Sequence, residues 1–194
     1  PLAAAGSPRK YFRIDGPDVA VVGAFNPDLK ENEAFLTLTR HFHGMGLPVP
    51  ELLASDRPKG TCLLADLGNT SLFDLVVSRE DMTVVGEDLY ALLAQTIRML
   101  PHFQVEGARG LDFSICYPRS VFDEQSMMWD LNYFKYYILK TSGIYFDEQG
   151  LEDDFRRFAS TLMQAGQDYF MYRDFQSRNV MIDGGKPWFI DYQG

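Results

Sequence analysis

The sequence predicts an α+β protein in which a small β-rich N-terminal lobe, residues 1–68, precedes a mainly helical C-terminal lobe, residues 69–194. Strand-forming runs surround a single helical segment in the first part of the chain, whereas helical periodicity dominates from Leu72 onward. The polar stretch from Gly68 to Ser71 separates the two patterns, so it predicts the linker between the lobes. Linkers of this kind are a usual position for a ligand cleft.

The composition is that of a globular protein, with 194 residues, 46% hydrophobic and 23% charged. A formal net charge of −9 argues against nucleic acid as the main partner, because binding a phosphate backbone needs clustered Lys and Arg. No apolar run reaches the roughly 20 residues of a membrane helix. The N-terminus also lacks the pattern of a secretory signal. Together these features predict a cytoplasmic protein that binds neither nucleic acid nor a membrane.

The N-terminal lobe opens with a predicted β-hairpin. Residues 11–14 favour a strand, residues 15–18 form a turn signal, and residues 19–24 are a continuous apolar run. The small-residue loop with Gly6 and Ser7 precedes the first strand and is a candidate cover for nucleotide phosphates. Taken alone, the same hairpin favours a purely structural role over nucleotide binding.

The rest of this lobe is predicted as one helix followed by two strands. The helix begins after Asn26 and ends before Pro48, which forces an extended exit. Glu33 lies in its second turn, where the carboxylate either reaches a basic group near the phosphates or is a solvated residue favoured by the helix dipole. Residues 51–55 and 61–67 then read as strands around a turn.

Three amphipathic helices are predicted in the C-terminal lobe, over residues 89–100, 127–138 and 155–163. Pro101 is expected to end the first of them. The second contains a dense aromatic group, for which an aromatic core is favoured over a sugar-stacking surface. This group comprises Tyr133, Phe134, Tyr136 and Tyr137.

The last part of the chain carries the pattern of a phosphoryl-transfer centre. Asp174 is followed five positions later by Asn179, and two apolar strands with a Gly-Gly turn between them lead to Asp191. Such a hairpin would place Asn179 and Asp191 side by side at its outer ends. Mg²⁺ suits this pair, because it takes few protein ligands and keeps its waters and phosphates. Any one of the three could be an ordinary loop residue, but the combined spacing indicates a site.

The order of these features resembles the protein-kinase-like bilobal fold. Within that fold the chain resembles the aminoglycoside phosphotransferase and choline kinase group. It is most similar to the bacterial branch that includes the anomeric kinases for N-acetylmuramic acid and N-acetylglucosamine. The resemblance covers nearly the whole chain and is carried by residues 6–13, 47–51, 63–68, 129–131 and 172–179, with Asp191.

The resemblance implies catalytic roles for the end of the chain. Asp174 would be the base that orients and deprotonates a substrate hydroxyl, with Arg173 beside it in the catalytic loop. Asn179 and Asp191 would hold Mg²⁺. Arg178 either helps to neutralise phosphate charge or forms a surface ion pair. Members of the family continue with further helices after the metal Asp, so the chain is expected to be part of a longer protein.

The resemblance also implies an ATP site in the N-terminal lobe. The backbone near Asp66 and Leu67 would bind adenine. The run from residue 19 to residue 24 lacks the usual phosphate-binding Lys, so basic residues of the preceding strand are its expected substitutes, paired with Glu33. The complete set of predicted nucleotide-binding residues is Ser7, Arg9, Lys10, Arg13, Glu33, Asp66 and Leu67.

The sequence therefore predicts an ATP- and Mg²⁺-dependent phosphotransferase that acts on a hydroxyl of a small-molecule acceptor, a sugar or amino sugar. The alternative is a nucleotide-binding regulatory module without catalysis. The missing strand Lys favours that alternative, as does Tyr172, which stands where kinases usually carry His. Retention of the two acids and the amide of the motif favours the enzyme.

Overall fold

The computed structural model describes residues 8–16, 20–79 and 85–192. Its larger sheet has four antiparallel strands in the order β1-β2-β4-β3. These are β1 (Lys10–Asp15), β2 (Ala20–Phe25), β3 (Leu52–Asp56) and β4 (Thr61–Ala65). The four strands predicted for the N-terminal lobe are therefore present, each within a few residues of its expected bounds.

Helix α1 (Leu29–Gly44) lies between β2 and β3 in the chain. Asp28 caps it by accepting hydrogen bonds from the backbone N–H groups of Lys30 and Glu31. Its apolar side chains belong to two core clusters. Phe35 and Leu36 pack with the sheet. Leu38 and Phe42 pack in a second cluster with aromatic residues from later in the chain, Phe103, Phe170, Phe189 and Tyr192.

One face of the four-stranded sheet lines a cavity. Because successive side chains on a strand point to opposite faces, Tyr11 and Arg13 of β1 lie on the same face as Val22 of β2. All three line one cavity together with Leu64 of β4. Lys10 lies on the other face and is exposed.

In the described part of the chain, five α-helices follow the linker. They are α2 (Leu72–Val77), α3 (Glu87–Pro101), α4 (Glu124–Phe134), α5 (Lys140–Ser142) and α6 (Glu148–Leu162). Pro101 does not end the helical path of α3, which continues through a π-helical turn, His102–Glu106. Proline is tolerated there because the wider turn that follows is closed by its own bond, from the N–H of Gly107 to the carbonyl of His102 at 2.9 Å.

The predicted C-terminal hairpin is present as β5 (Val180–Asp183) and β6 (Lys186–Phe189). Gly184 and Gly185 connect the strands at φ values of 56° and 73°. Two consecutive residues with positive φ match the turn whose twist suits a two-residue hairpin. The hairpin is joined to the linker by a hydrogen bond of 2.8 Å from the N–H of Ile182 to the carbonyl of Thr70.

The chain forms two compact units, residues 1–118 with 170–194, and residues 119–169. The first contains both sheets and α1 to α3, and the second contains α4 to α6. The predicted lobe boundary after residue 68 falls inside the first unit, and that division of the chain stays a prediction. Among the described residues, no helix combines the length and apolar character needed to cross a bilayer.

The aromatic group of the second unit is exposed, so the aromatic core predicted there is wrong. Tyr133 and Tyr137 are 63% and 65% exposed, and their rings stack at 4.3 Å between centroids. One helical turn places them on the same face. The buried side chain of this segment is Lys135, whose ammonium bonds Glu148 and Glu152 at 2.6 and 2.7 Å. Aromatic identity alone does not tell which face of a helix is buried.

Candidate active site

Tyr172 fixes the start of the loop that carries the predicted catalytic residues. Its side chain is 5% exposed and packs edge-on against Phe103 and Phe189. The phenol donates a hydrogen bond of 2.5 Å to the carbonyl of Ile190, which directly precedes Asp191. Burial raises the pKa of Tyr172, so the phenol stays protonated and remains a donor. One buried side chain thus joins the loop to the end of the hairpin.

The predicted metal residues lie side by side, as the hairpin pattern indicated. The amide nitrogen of Asn179 donates to the carbonyl of Asp174 at 3.0 Å and approaches a carboxylate oxygen of Asp191 at 3.4 Å. A backbone bond of 3.0 Å from the N–H of Ile190 to the carbonyl of Asn179 closes this end of the hairpin. Because the nitrogen of the Asn179 amide is used as a donor, its oxygen is the atom that can ligate a cation.

Asp191 adopts an uncommon backbone conformation, with φ at 61°. A non-glycine residue in this region is uncommon, and such residues concentrate at functional sites. The described residues contain no group of three His, Cys, Asp or Glu that could enclose an ion. The amide oxygen of Asn179 and the carboxylate of Asp191 are donors of the kind that fits Mg²⁺, which takes few protein ligands and retains water and phosphate ligands.

Asp174 and Arg173 are exposed residues of the same loop. The carbonyl of Asp174 accepts hydrogen bonds from the N–H of Gln176 at 2.8 Å and from the amide of Asn179. The loop is therefore held by the backbone of Asp174, and the carboxylate extends into solvent. The structure thus brings Asp174, Asn179 and Asp191 together, and their chemical roles stay predictions.

A cavity of about 380 Å³ reaches from the linker to Asn179 and Asp191, the candidate metal pair. Its walls combine side chains of the sheet, the linker and the hairpin, and most are apolar. They include Val22, Leu64, Ala65, Leu67, Met181 and Ile190. Asn179 and Asp191 line the same cavity. Apolar walls with a few polar groups are typical of small-molecule sites, and here the polar groups include the candidate metal ligands.

Arg13, predicted to bind the nucleotide, lines the cavity and is bonded to the linker. Its guanidinium donates to both carboxylate oxygens of Asp66, at 2.5 and 2.8 Å, and to the carbonyl of Gly68 at 2.9 Å. The hydrogen bond from Arg13 lowers the pKa of Asp66. Since this carboxylate is engaged, the backbone near Asp66 and the side chain of Leu67 are what the linker offers to a base.

Arg9 occupies the position from which a cation could reach phosphates. It is 2% exposed, lines the cavity and lies over the ring of Phe35 at 4.1 Å. Its salt bridge of 3.2 Å is with Glu31, so the expected pairing with Glu33 is wrong. Two residues along a helix correspond to about 200° of rotation, and Glu33 accordingly bonds Arg57 at 2.5 Å on the exposed side.

Helical spacing in the sequence could have identified Glu31 as the partner of Arg9. Glu31 precedes Phe35 by one helical turn, so both residues share the face of α1 that meets Arg9. Lys10 and Ser7 were also predicted to bind the nucleotide phosphates. Lys10 is exposed on the far face of β1, and Ser7 lies outside the described residues.

Arg178 and Phe73 form a contact that the sequence did not predict. The guanidinium carbon of Arg178 lies 3.5 Å from the centroid of the Phe73 ring. Phe73 belongs to α2, which is held at its start by reciprocal hydrogen bonds between Ser71 and Asp74. Both members of the pair line the cavity. Aromatic residues of short helices give no sequence signal for such a contact across the fold.

The model of the phosphotransferase enzyme family matches residues 1–194. The chain belongs to this family. Two curated relatives are N-acetylmuramate/N-acetylglucosamine kinases. That of Pseudomonas aeruginosa is 26% identical over 198 residues, which cover 100% of this chain and 54% of the relative. That of Neisseria meningitidis is 28% identical over 195 residues, covering 95% and 53%. The chain spans about half the length of these curated relatives.

Two solved structures of phosphotransferases share the fold. The crystal structure of aminoglycoside phosphotransferase APH(4)-Ia superposes with a TM-score of 0.58 at 14% identity, covering 98% of this chain and 64% of that one. The streptomycin-ATP-APH(2")-IIa ternary complex gives 0.56 at 11% identity, covering 95% and 65%. These likenesses confirm the protein-kinase-like α+β fold that the sequence predicted, and the family match confirms the prediction of a small-molecule kinase family.

Proposed function

We propose that this chain carries the nucleotide and metal sites of an ATP- and Mg²⁺-dependent phosphotransferase that phosphorylates a hydroxyl of a sugar or amino sugar. The observation that carries the proposal is the amide of Asn179, which links the catalytic loop at Asp174 to the carboxylate of Asp191. The two candidate metal ligands line one cavity, and one of them bonds the backbone of the candidate base.

ATP is the proposed phosphate donor. The cavity offers apolar walls and backbone groups at the linker for a base, and it includes the buried cation Arg9. Arg9 supplies the positive charge that the chain lacks on β2, and Glu31 fixes it in place. One related structure was solved with ATP and streptomycin, which supports the same class of donor here. Use of ATP also fits the cytoplasmic location predicted from the sequence.

The proposed chemistry depends on position and charge. Mg²⁺, when bound by Asn179 and Asp191, would neutralise charge on the transferring phosphoryl group. Asp174 would accept the proton of the attacking hydroxyl, a contribution of about 10²–10⁴-fold in general-base catalysis. Asp174 is an exposed residue, which supports access by an acceptor that enters from solvent.

A sugar or amino sugar is the proposed acceptor because both curated relatives are named as kinases of N-acetylated sugars. The chain covers about half of those proteins. Acceptor assays therefore use N-acetylmuramate and N-acetylglucosamine with the chain and with the longest polypeptide in which it occurs.

The test combines calorimetric binding with turnover. Wild-type protein is titrated with ATP in the presence and absence of Mg²⁺, beside Asp174→Ala and Asp191→Ala. We expect Asp191→Ala to lose the Mg²⁺-dependent part of ATP binding. Asp174→Ala should retain that binding and lose turnover. Absence of any Mg²⁺-dependent ATP binding by the wild type contradicts the proposal, and binding without turnover of any sugar supports the regulatory alternative.

A further inference from the structure

Arg178 lies over an aromatic ring at the edge of the cavity. Its guanidinium carbon lies 3.5 Å from the centroid of Phe73, and both residues line the cavity with Asn179 and Asp191. Arg178 also directly precedes Asn179 in the turn formed by residues 177–179. The cation is therefore fixed beside the candidate metal ligands.

The partner ring is itself fixed. Phe73 lies in the first turn of α2, where the carboxylate of Asp74 accepts hydrogen bonds from the backbone N–H and the hydroxyl of Ser71, at 2.9 and 2.6 Å. Ser71 in turn pairs with Met181 of the hairpin. The ring and the guanidinium thus belong to segments that are joined to each other, so their contact does not require another segment to become ordered.

The three arginines that line the cavity differ in what they contact. Arg9 is paired with Glu31, and Arg13 is bonded to both oxygens of Asp66. Arg178 lies over the uncharged ring of Phe73. The carboxylate of Asp74 is also near it, and the pKa of Asp74 is lowered first by hydrogen bonds from Ser71 and further by the charge of Arg178. The hydrogen bonds of that carboxylate go to Ser71. Stacking uses the face of a guanidinium and leaves its N–H donors in the plane, where they match the two oxygens of a carboxylate or phosphate.

We propose that Arg178 is a substrate-binding residue that takes an oxyanion next to the metal pair. The inference rests on the proposed function and deepens it. The oxyanion is a phosphate of the nucleotide or a carboxylate of the acceptor. Among the sugars named for the relatives, N-acetylmuramate carries a carboxylate that N-acetylglucosamine lacks, so the two sources can be separated by experiment.

Three variants and one control test the proposal. Arg178→Met removes the charge and keeps much of the side-chain volume. Arg178→Lys keeps the charge but loses the planar donors. Phe73→Leu keeps Arg178 and removes the ring that orients it. Arg157→Met is the control, because Arg157 is an exposed residue of α6 paired with Asp154 at 3.1 Å.

Adenosine, AMP and ATP with Mg²⁺ are titrated into each protein, and KM is measured for both sugars. If the source is the nucleotide, Arg178→Met should bind AMP and ATP about tenfold more weakly, equivalent to about 1.4 kcal/mol, with adenosine unchanged. If the source is the acceptor, the KM of Arg178→Met should rise about tenfold for N-acetylmuramate, again equivalent to about 1.4 kcal/mol. Its KM for N-acetylglucosamine should stay constant. Arg178→Lys and Phe73→Leu should fall between Arg178→Met and the wild type.

A purely structural role for the stack gives a different pattern. Binding of adenosine and both sugars would then fall in parallel with Tm in Arg178→Met, and this outcome overturns the inference. Equal behaviour of Arg178→Met, Arg157→Met and wild type also overturns it while leaving the proposed function intact. If the wild type binds no ATP with Mg²⁺, the proposed function fails and the inference fails with it.

Discussion

Tyr172 shows how a single side chain can connect two functional segments. Its hydroxyl donates to the carbonyl of Ile190, and the next residue, Asp191, holds a φ of 61°. The phenol of Tyr172 reaches this carbonyl from a buried position. A His at position 172 would have to adopt a different position to reach the same carbonyl. Tyr172, which stands where the resemblance implies His, therefore keeps a link between the predicted catalytic loop and the carboxylate of Asp191, which weakens the argument for a non-catalytic module.

Replacement of Tyr172 by Phe tests this link. The variant keeps the ring and removes the donor, so the buried carbonyl of Ile190 loses its hydrogen bond at a cost of about 1–3 kcal/mol. We expect a lower Tm and a higher Mg²⁺ concentration for half-maximal ATP turnover. Tyr117→Phe is the control, because it removes a hydrogen bond of 2.8 Å to Asp28, away from the metal pair. A Mg²⁺ requirement unchanged in Tyr172→Phe would show that the link has no functional effect.

Glu31 and Glu33 form a second matched pair of positions. Glu31 bonds the buried Arg9, whereas Glu33 bonds the half-exposed Arg57. We expect Glu31→Ala to lose about 1.5–3 kcal/mol, typical of a hydrogen bond to a charged group, and to bind ATP more weakly. Glu33→Ala should lose at most about 1 kcal/mol, as for exposed pairs. Chemical denaturation and ATP titration measure both, and equal losses would refute the assignment of Glu31.

Among the elements, the β5–β6 hairpin determines the distance between Asn179 and Asp191. Its turn requires Gly184 and Gly185 to adopt positive φ. An added methyl group at Gly185 would meet no atom within 4 Å, so the cost of a substitution there is backbone strain alone. The relative position of Asn179 and Asp191 consequently depends on two residues that do not line the cavity.

Substitution of Gly185 by Ala should destabilise the protein by about 1–2 kcal/mol, the cost of a left-handed conformation for an L-residue. It should also lower Mg²⁺-dependent turnover. Gly44→Ala is a suitable comparison, since Gly44 ends α1 and likewise has no atom within 4 Å of an added methyl group. There we expect no loss, or a gain of about 0.4–1 kcal/mol. Similar losses in both variants, measured by urea denaturation, would argue against turn strain.

Elements with a strong local signal could be predicted from the sequence, and contacts between elements could not. The hairpin followed from its Gly-Gly turn between apolar runs, and α1 followed from Asp28 and its helical spacing. The partner of Arg9 is different, because it depends on the rotation of α1 about its own axis. The same applies to Arg178, whose ring partner lies about a hundred positions earlier in the chain.

At the scale of the whole molecule, the described cavity belongs entirely to one of the two compact units. All its lining residues fall within residues 9–74 and 178–192, inside the unit of residues 1–118 and 170–194. The unit of residues 119–169 has its own interior, in which Lys135 bonds two glutamates of α6. Nucleotide binding is therefore expected to affect the two units unequally.

Hydrogen exchange with mass spectrometry measures this difference directly. A ligand at 100 times its Kd stabilises the native state by about 2.7 kcal/mol, so amides that exchange through opening of the nucleotide site should slow on addition of ATP and Mg²⁺. We expect slower exchange in β1, in β4 with the linker, and in residues 172–192. Helix α6 should keep its exchange rate, apart from amides that open only by global unfolding. Protection confined to residues 119–169 would place the nucleotide elsewhere and contradict the proposed site.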